Sequence, residues 1–133
     1  MESRTASCSC GQLRVTCEGA PTRVSICHCL ECQRRTGSVF AVQARFPRES
    51  VTIEGRSSIW SRRGDEGGKA VFHSCPVCAA TVYWQPEAFP DLVAVAVGAF
   101  ADPEFPAPNV AVYESRRHAW TTELGALPLE HWD

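Results

Sequence analysis

Eight cysteines in 133 residues, none of them after position 78, constrain this chain more than any other feature. Cys8, Cys10, Cys17, Cys27, Cys29 and Cys32 crowd the first quarter, and Cys75 and Cys78 stand alone near the middle. Disulfide frameworks belong to small secreted domains, whereas cytosolic thiols are kept reduced. The N-terminal "MESRTASCSC" has no charged segment followed by an apolar run. No stretch reaches the roughly 18 apolar residues that a membrane span needs. We therefore expect a soluble, cytoplasmic protein whose cysteines serve metal binding or thiol chemistry.

Taken in pairs, the cysteines suggest two sites. In an extended strand, the spacing of Cys8-Ser9-Cys10 puts both side chains on one face, close enough for two thiolates to tilt onto a single ion. Cys75-Pro76-Val77-Cys78 is a knuckle in which the chain reverses so that both sulfurs point inward. Two plus two completes a tetrahedral zinc site that is closed and structural; either pair alone would also suit a redox dithiol or two buried thiols. Cys27-His28-Cys29-Leu30-Glu31-Cys32 merges the two spacings and brings three thiolates together. If it binds zinc, the fourth position goes to water, an exogenous thiol or a side chain from elsewhere. Three protein ligands with one exchangeable position is the form of a catalytic site. The alternative is a second structural site completed by Cys17 or His73; His28, between two ligands of an extended segment, should point to the opposite side. Cys17 reads as a free, buried thiol.

The rest of the chain is written for β-structure. Polar and apolar residues alternate over 12–17, 22–27, 39–46, 50–55 and 57–62, and again in "KAVFHSC", "ATVYWQ", "DLVAVAVGAF" and "PNVAVYES", with Gly- and Pro-rich turns between them. Nine short strands follow, and only "LECQRRTG" (30–37) is helical, ending at Gly37. The expected architecture is a mainly β single domain over 1–133, with antiparallel sheets, zinc knuckles and one short helix. The tail aromatics Trp120 and Trp132 are expected to pack back on the body. A net charge of −2 offers no basic field for nucleic acid or an anionic membrane, so neither is an expected partner, and a homo-oligomer is compatible with the composition.

Three ordered motifs, "CSCGQLRVTC", "CHCLECQRRTG" and "FHSCPVCAATVYW", resemble the glutathione-dependent formaldehyde-activating family, whose domain also occurs in centromere protein V. The resemblance extends through the first part of the chain as far as Trp84, and it implies a zinc scaffold of the Mss4-like (β-tent) type. It implies that Cys8, Cys10, Cys75 and Cys78 hold a structural zinc, and that Cys27, Cys29 and Cys32 hold a second, exchangeable one at the active site. It also implies glutathione as cosubstrate and the activity of S-(hydroxymethyl)glutathione synthesis, a carbon–sulfur lyase reaction run in reverse. One departure is visible: Ala79 stands where the family carries glycine after the second knuckle cysteine, and a positive φ there would strain alanine.

An open three-thiolate site suits such chemistry, because a bound thiol is deprotonated and held beside the aldehyde. Glutathione has two carboxylates, and Arg34 and Arg35 directly after Cys32 are candidates to pair with them, although adjacent arginines on a short helix also make an ordinary solvated face. Arg62 and Arg63 open a Gly-rich segment over 61–69 that reads first as a hairpin loop and second as a lid. His28 as proton shuttle, Glu31 as acceptor, and Trp60 and Trp84 as pocket walls complete the candidates, with Trp84 more simply a core residue. Two functions follow: a zinc enzyme acting on a small thiol adduct of an aldehyde, or a non-catalytic zinc β-module that binds a protein partner.

Overall fold

The computed structural model describes residues 2–64 and 68–133; the middle of the segment considered as a lid, residues 65–67, lies outside them. Among the described residues, ten strands form two sheets. The smaller is antiparallel, in the order β1 (Ser3–Ser7), β2 (Arg14–Glu18), β5 (Val51–Glu54). The larger has seven strands. Its order is β10 (Val110–Val112), β3 (Arg23–Cys27), β4 (Ala41–Pro47), β9 (Leu92–Ala96), β8 (Thr81–Pro86), β7 (Lys69–Ser74) and β6 (Ser58–Arg63). The mainly β domain with a single α-helix, α1 (Leu30–Thr36), is as the patterning predicts. Gly37 closes α1 in the left-handed conformation, and its N–H bonds back to the Gln33 carbonyl.

Three local expectations are corrected. β1 lies outside the predicted strands, because "SRTAS" has no apolar alternation and buries only Ala6; it forms by pairing with β2, where Thr5 and Thr16 hydroxyls meet at 3.2 Å. β10 lies parallel to β3, against the otherwise antiparallel pattern, because the Pro-rich segment 101–108 carries the chain back across the molecule. Asn109 fixes that register by accepting from the Val24 N–H and donating its own N–H to the Val24 carbonyl. The tail aromatics do not pack back: Trp132 is 86% exposed and Trp120 41%, the latter in a T-shaped ring contact with its near neighbour His118. Local 3-10 turns over Ala119–Ala126 hold that segment without burying a single side chain.

The main core lies between the sheets. Ala6, Val15 and Cys17 of the small sheet meet Val24, Ala44, Phe46, Tyr83, Val93 and Val95 of the large one, with Leu13 and Phe100 closing the ends. Alternation then sends the intervening residues to the outer face of the large sheet. There a single row runs across six strands through Arg23, Arg45, Ala94, Trp84, Phe72 and Trp60. Cys27 and Ser25 share the Arg23 face of β3, so this row leads to the cysteine triplet. No helix among the described residues is long and apolar enough to cross a membrane.

Candidate metal centres

The tetrad is built from two tight turns that the main core holds together. Cys8 and Cys10 lie in a turn after β1 and not in the extended strand that their spacing suggests; Gly11 N–H bonds to the Cys8 carbonyl, and Gly11 takes a positive φ that a side chain would oppose. The second turn is the knuckle: Ala79 N–H donates to the Cys75 carbonyl, and Cys75 N–H to that of Ala80. Ala79 does adopt the strained left-handed conformation, with φ positive. The sulfurs of Cys8, Cys10, Cys75 and Cys78 all lie within 4.8 Å of one another.

These residues fit zinc. A tetrahedron with metal–sulfur bonds of about 2.3 Å has edges of about 3.8 Å. The sulfurs of Cys8 and Cys10, and those of Cys10 and Cys75, are each 3.6 Å apart. An all-sulfur donor set selects zinc or iron–sulfur chemistry over harder ions. The sulfurs also receive donors suited to thiolates: Leu13 N–H to Cys8 at 3.3 Å, and Val77 N–H to Cys75 at 3.3 Å. Burial opposes ionisation of Cys75, but the Cys78 N–H, the Gln12 amide and the Val77 N–H outweigh it and hold its thiol down at about 6.

Gln12, inside the first cysteine motif but given no role by it, ties this centre to the β5–β6 turn. Its Nε2 donates to Cys75 Sγ at 3.0 Å and to the Arg56 carbonyl, and its Oε1 accepts from Arg56 N–H. Gly55 beside it has a positive φ and no room for a Cβ, which would collide with the Gln12 backbone.

Cys27, Cys29 and Cys32 form the second centre, again with all sulfurs within 4.8 Å. Cys27 ends β3, Cys29 is the N-cap of α1, and Cys32 sits in its first turn, its N–H donating to Cys29 Sγ at 3.2 Å. All three are buried, in a cluster separate from the main core, with Ala41, Val112 and Tyr113 packed around them. The parallel strand β10 forms the back of this site: His28 N–H bonds to the Val112 carbonyl. Gln33, inside the second motif but likewise given no role by it, anchors α1 by donating to the carbonyls of His28 and Arg116, while its Oε1 lies 3.0 Å from His118 Nε2.

His28 is buried with its edge against Phe40 and is outside the sulfur cluster; burial first, then the Arg117 charge, lowers its pKa. His73 is bonded to Ser57 Oγ and Gln85 Oε1 and stacked on Tyr83, also away from the triplet. Cys17 is fully buried in the main core, and Trp60 is 67% exposed. Arg34 points to solvent, 2.8 Å from Glu31. Arg35 turns inward, its guanidinium 4.4 Å from the Trp84 ring centre and 4.8 Å from that of Phe72.

Arg62 completes the surroundings from β6. Its guanidinium lies 4.8 Å from the Phe72 ring centre, and its Nη2 reaches to 3.7 Å from Cys32 Sγ. The Cys32 thiol is lowered well below its ordinary value, first by the thiols of Cys27 and then Cys29 that donate to it, and further by the Arg35 and Arg62 charges, against its burial. Cys27 is raised correspondingly, by the same hydrogen bond and by burial. Three thiolates with one zinc carry a formal negative charge, and two guanidiniums beside them offset it. A cleft of about 810 Å³ runs beside the tetrad and the C-terminal end of α1, lined by Cys8, Ser9, Arg35, Phe40, Ala79 and Trp84 among others.

A family profile described as "Glutathione-dependent formaldehyde-activating enzyme" matches residues 3–116. The fold is similar to that of a Rhodobacter sphaeroides protein known from its crystal structure, 17% identical, with a TM-score of 0.58 over 80% of this chain and 98% of the other. No curated protein matches the sequence.

Proposed function

The chain belongs to the glutathione-dependent formaldehyde-activating enzyme family, and from that premise we propose that it is a zinc enzyme joining a small thiol to an aldehyde. The observation that carries this reading is the contrast between the centres. Four sulfurs close the first, while the second offers three sulfurs with two guanidiniums beside them. When bound by Cys27, Cys29 and Cys32, zinc would supply a vacant position at which an incoming thiol loses its proton near neutral pH.

The residues around that position have separate tasks in this proposal. Arg62 and Arg35 hold the site's negative charge and attract an anionic thiol; Trp84 and Phe72 keep the Arg35 guanidinium flat and in place. Gln33, bonded to two carbonyls, keeps Cys29 and Cys32 in register with Cys27. The reaction forms one carbon–sulfur bond: sulfur adds to the carbonyl carbon, and the thiol proton ends on the carbonyl oxygen, giving a hemithioacetal. Read backwards it is a carbon–sulfur lyase reaction, with glutathione as the thiol and formaldehyde as the aldehyde.

The uncatalysed addition is fast, so the test is exchange spectroscopy at equilibrium, which follows interconversion of aldehyde and hemithioacetal directly. The proposal expects faster exchange with the zinc-loaded protein than without it, and no acceleration by Cys29→Ser. Equal exchange rates with and without the protein would overturn it. That outcome would favour the second reading, a non-catalytic β-module, for which the edge strand β6 with its 67% exposed Trp60 is the candidate contact.

A further inference from the structure

Arg23 and Arg45 stand directly opposite each other on β3 and β4. Like charges in that relation destabilise a sheet, and no carboxylate pairs with either among the described residues. Each has a buried Nε with no hydrogen-bond partner. Burial and then the Arg23 charge lower the pKa of Arg45, whose guanidinium also covers the Phe89 ring at 5.0 Å. Ser25, between Arg23 and Cys27 on the same face of β3, is fully buried, and its Oγ has no partner either. The unpartnered buried nitrogens of Arg35 and Arg62 face the same surface.

A buried donor without an acceptor carries the full penalty of its lost hydration, so a protein seldom keeps several together without a use for them. On this face they lie in two groups: Ser25, Arg23 and Arg45 on β3 and β4, and Arg35 and Arg62 over Phe72 and Trp84 beside the triplet. Arg23 is four residues from Cys27, about 13 Å along an extended strand.

Resting on the thiol-site reading above, we propose that Arg23 and Arg45 form an anion subsite for a carboxylate of the thiol substrate, remote from its sulfur. The subsite selects thiols long enough to span from Cys27 to Arg23 and charged at the far end. Glutathione carries its sulfur on the central residue, so its far carboxylate reaches no further than the length of an extended tripeptide, about 10 Å, and the arginine stems cover the remainder. A small uncharged thiol would fill the metal position and leave the arginine pair unanswered. The paired guanidiniums offer a fork to one carboxylate.

The test measures calorimetric binding of two probes to the zinc-loaded protein: glutathione and its diethyl ester, which keeps the thiol and the length but loses both carboxylate charges. Glutathione is expected to bind at least about tenfold more tightly than the ester. Arg45→Gln and Arg23→Gln should each weaken glutathione about tenfold, the loss of one charge-assisted hydrogen bond, and leave the ester unchanged. Arg45→Lys, which keeps the charge and loses the fork, gives the same test should Arg45→Gln fail to fold. Equal affinity for the two probes in the wild-type protein, or equal weakening of both in the variants, overturns the subsite while leaving the thiol site standing. If neither probe binds the wild-type protein, the thiol-site reading falls and the subsite with it.

Discussion

Arg62 Nη2 lies 3.7 Å from Cys32 Sγ, across 30 residues of sequence and from the far edge of the seven-stranded sheet. The contact places a permanent cation against a site that is anionic when metallated. Its removal should loosen the triplet ion and leave the tetrad ion alone. A charge-assisted hydrogen bond contributes about 1.5 to about 3 kcal/mol; partial exposure of Arg62 brings that to the lower end, or about tenfold in affinity. Competition with a chromophoric chelator should show one ion of Arg62→Gln released about tenfold more readily, with Arg62→Lys intermediate. Unchanged release from both centres would mean that the guanidinium is a bystander.

The two centres should fail differently. Cys75 is 2% exposed within the main core, whereas Cys27 belongs to a separate cluster beside α1. Metal binding is folding energy where the site ties the core together. We expect Cys75→Ser to unfold the protein or sharply reduce soluble yield, and Cys27→Ser to lose one zinc per chain with its thermal transition largely preserved. Zinc content and melting temperature, measured together, decide it; equal loss of stability in the two variants would make the triplet structural as well.

Ala79 and Gly55 predict opposite signs for exchanges between alanine and glycine. Ala79 takes a positive φ in the knuckle, a conformation costing alanine about 1 kcal/mol that glycine avoids. Ala79→Gly should therefore raise denaturation stability by up to about 1 kcal/mol. Gly55→Ala should lower it by more than that, since its positive φ disfavours a side chain and the new Cβ would strike the Gln12 backbone. A loss of stability in Ala79→Gly would show that the knuckle bears no such strain.

Cys17 links stability to alkaline pH. Burial pushes its thiol from the ordinary 9.0 up to about 12, with the Arg4 charge partly opposing. A raised acid pKa means that the unfolded chain ionises first. Stability is thus complete below about 9 and declines as pH rises toward about 12, with a slope of up to about 1.4 kcal/mol per pH unit. Cys17→Ala removes the group, so the stability difference between variant and wild type should move in the variant's favour across that window. Parallel pH curves for the two proteins would refute the linkage. At neutral pH the native thiol should also resist alkylation, reacting only on unfolding.

Much of the site was legible because it is local. Cys75-Pro76-Val77-Cys78 and Cys29-Leu30-Glu31-Cys32 each close within one turn, so spacing alone brings their sulfurs together. The strands were legible wherever apolar and polar residues alternate, and β1 was not, because Ala6 is its one buried apolar residue and the rest of "SRTAS" is polar. Among the arginines, adjacency to Cys32 pointed equally to Arg34 and Arg35. The turn of α1 sends one to solvent and Glu31, the other onto Trp84 and Phe72.

By itself, then, the sequence determined most of the β pattern, the short helix and the division of cysteines into two close pairs and a triplet, since each is a matter of neighbours along the chain. Only the tertiary structure decided what surrounds the sulfurs. Gln12 reaches Cys75, Arg62 reaches Cys32, and Arg23 faces Arg45 because of the order and register of strands. Alternation says which residues share a face of one strand; it carries no information about which strand lies next to it. An arginine on a sheet face therefore looks like solvent-facing charge until its neighbours across the sheet are known.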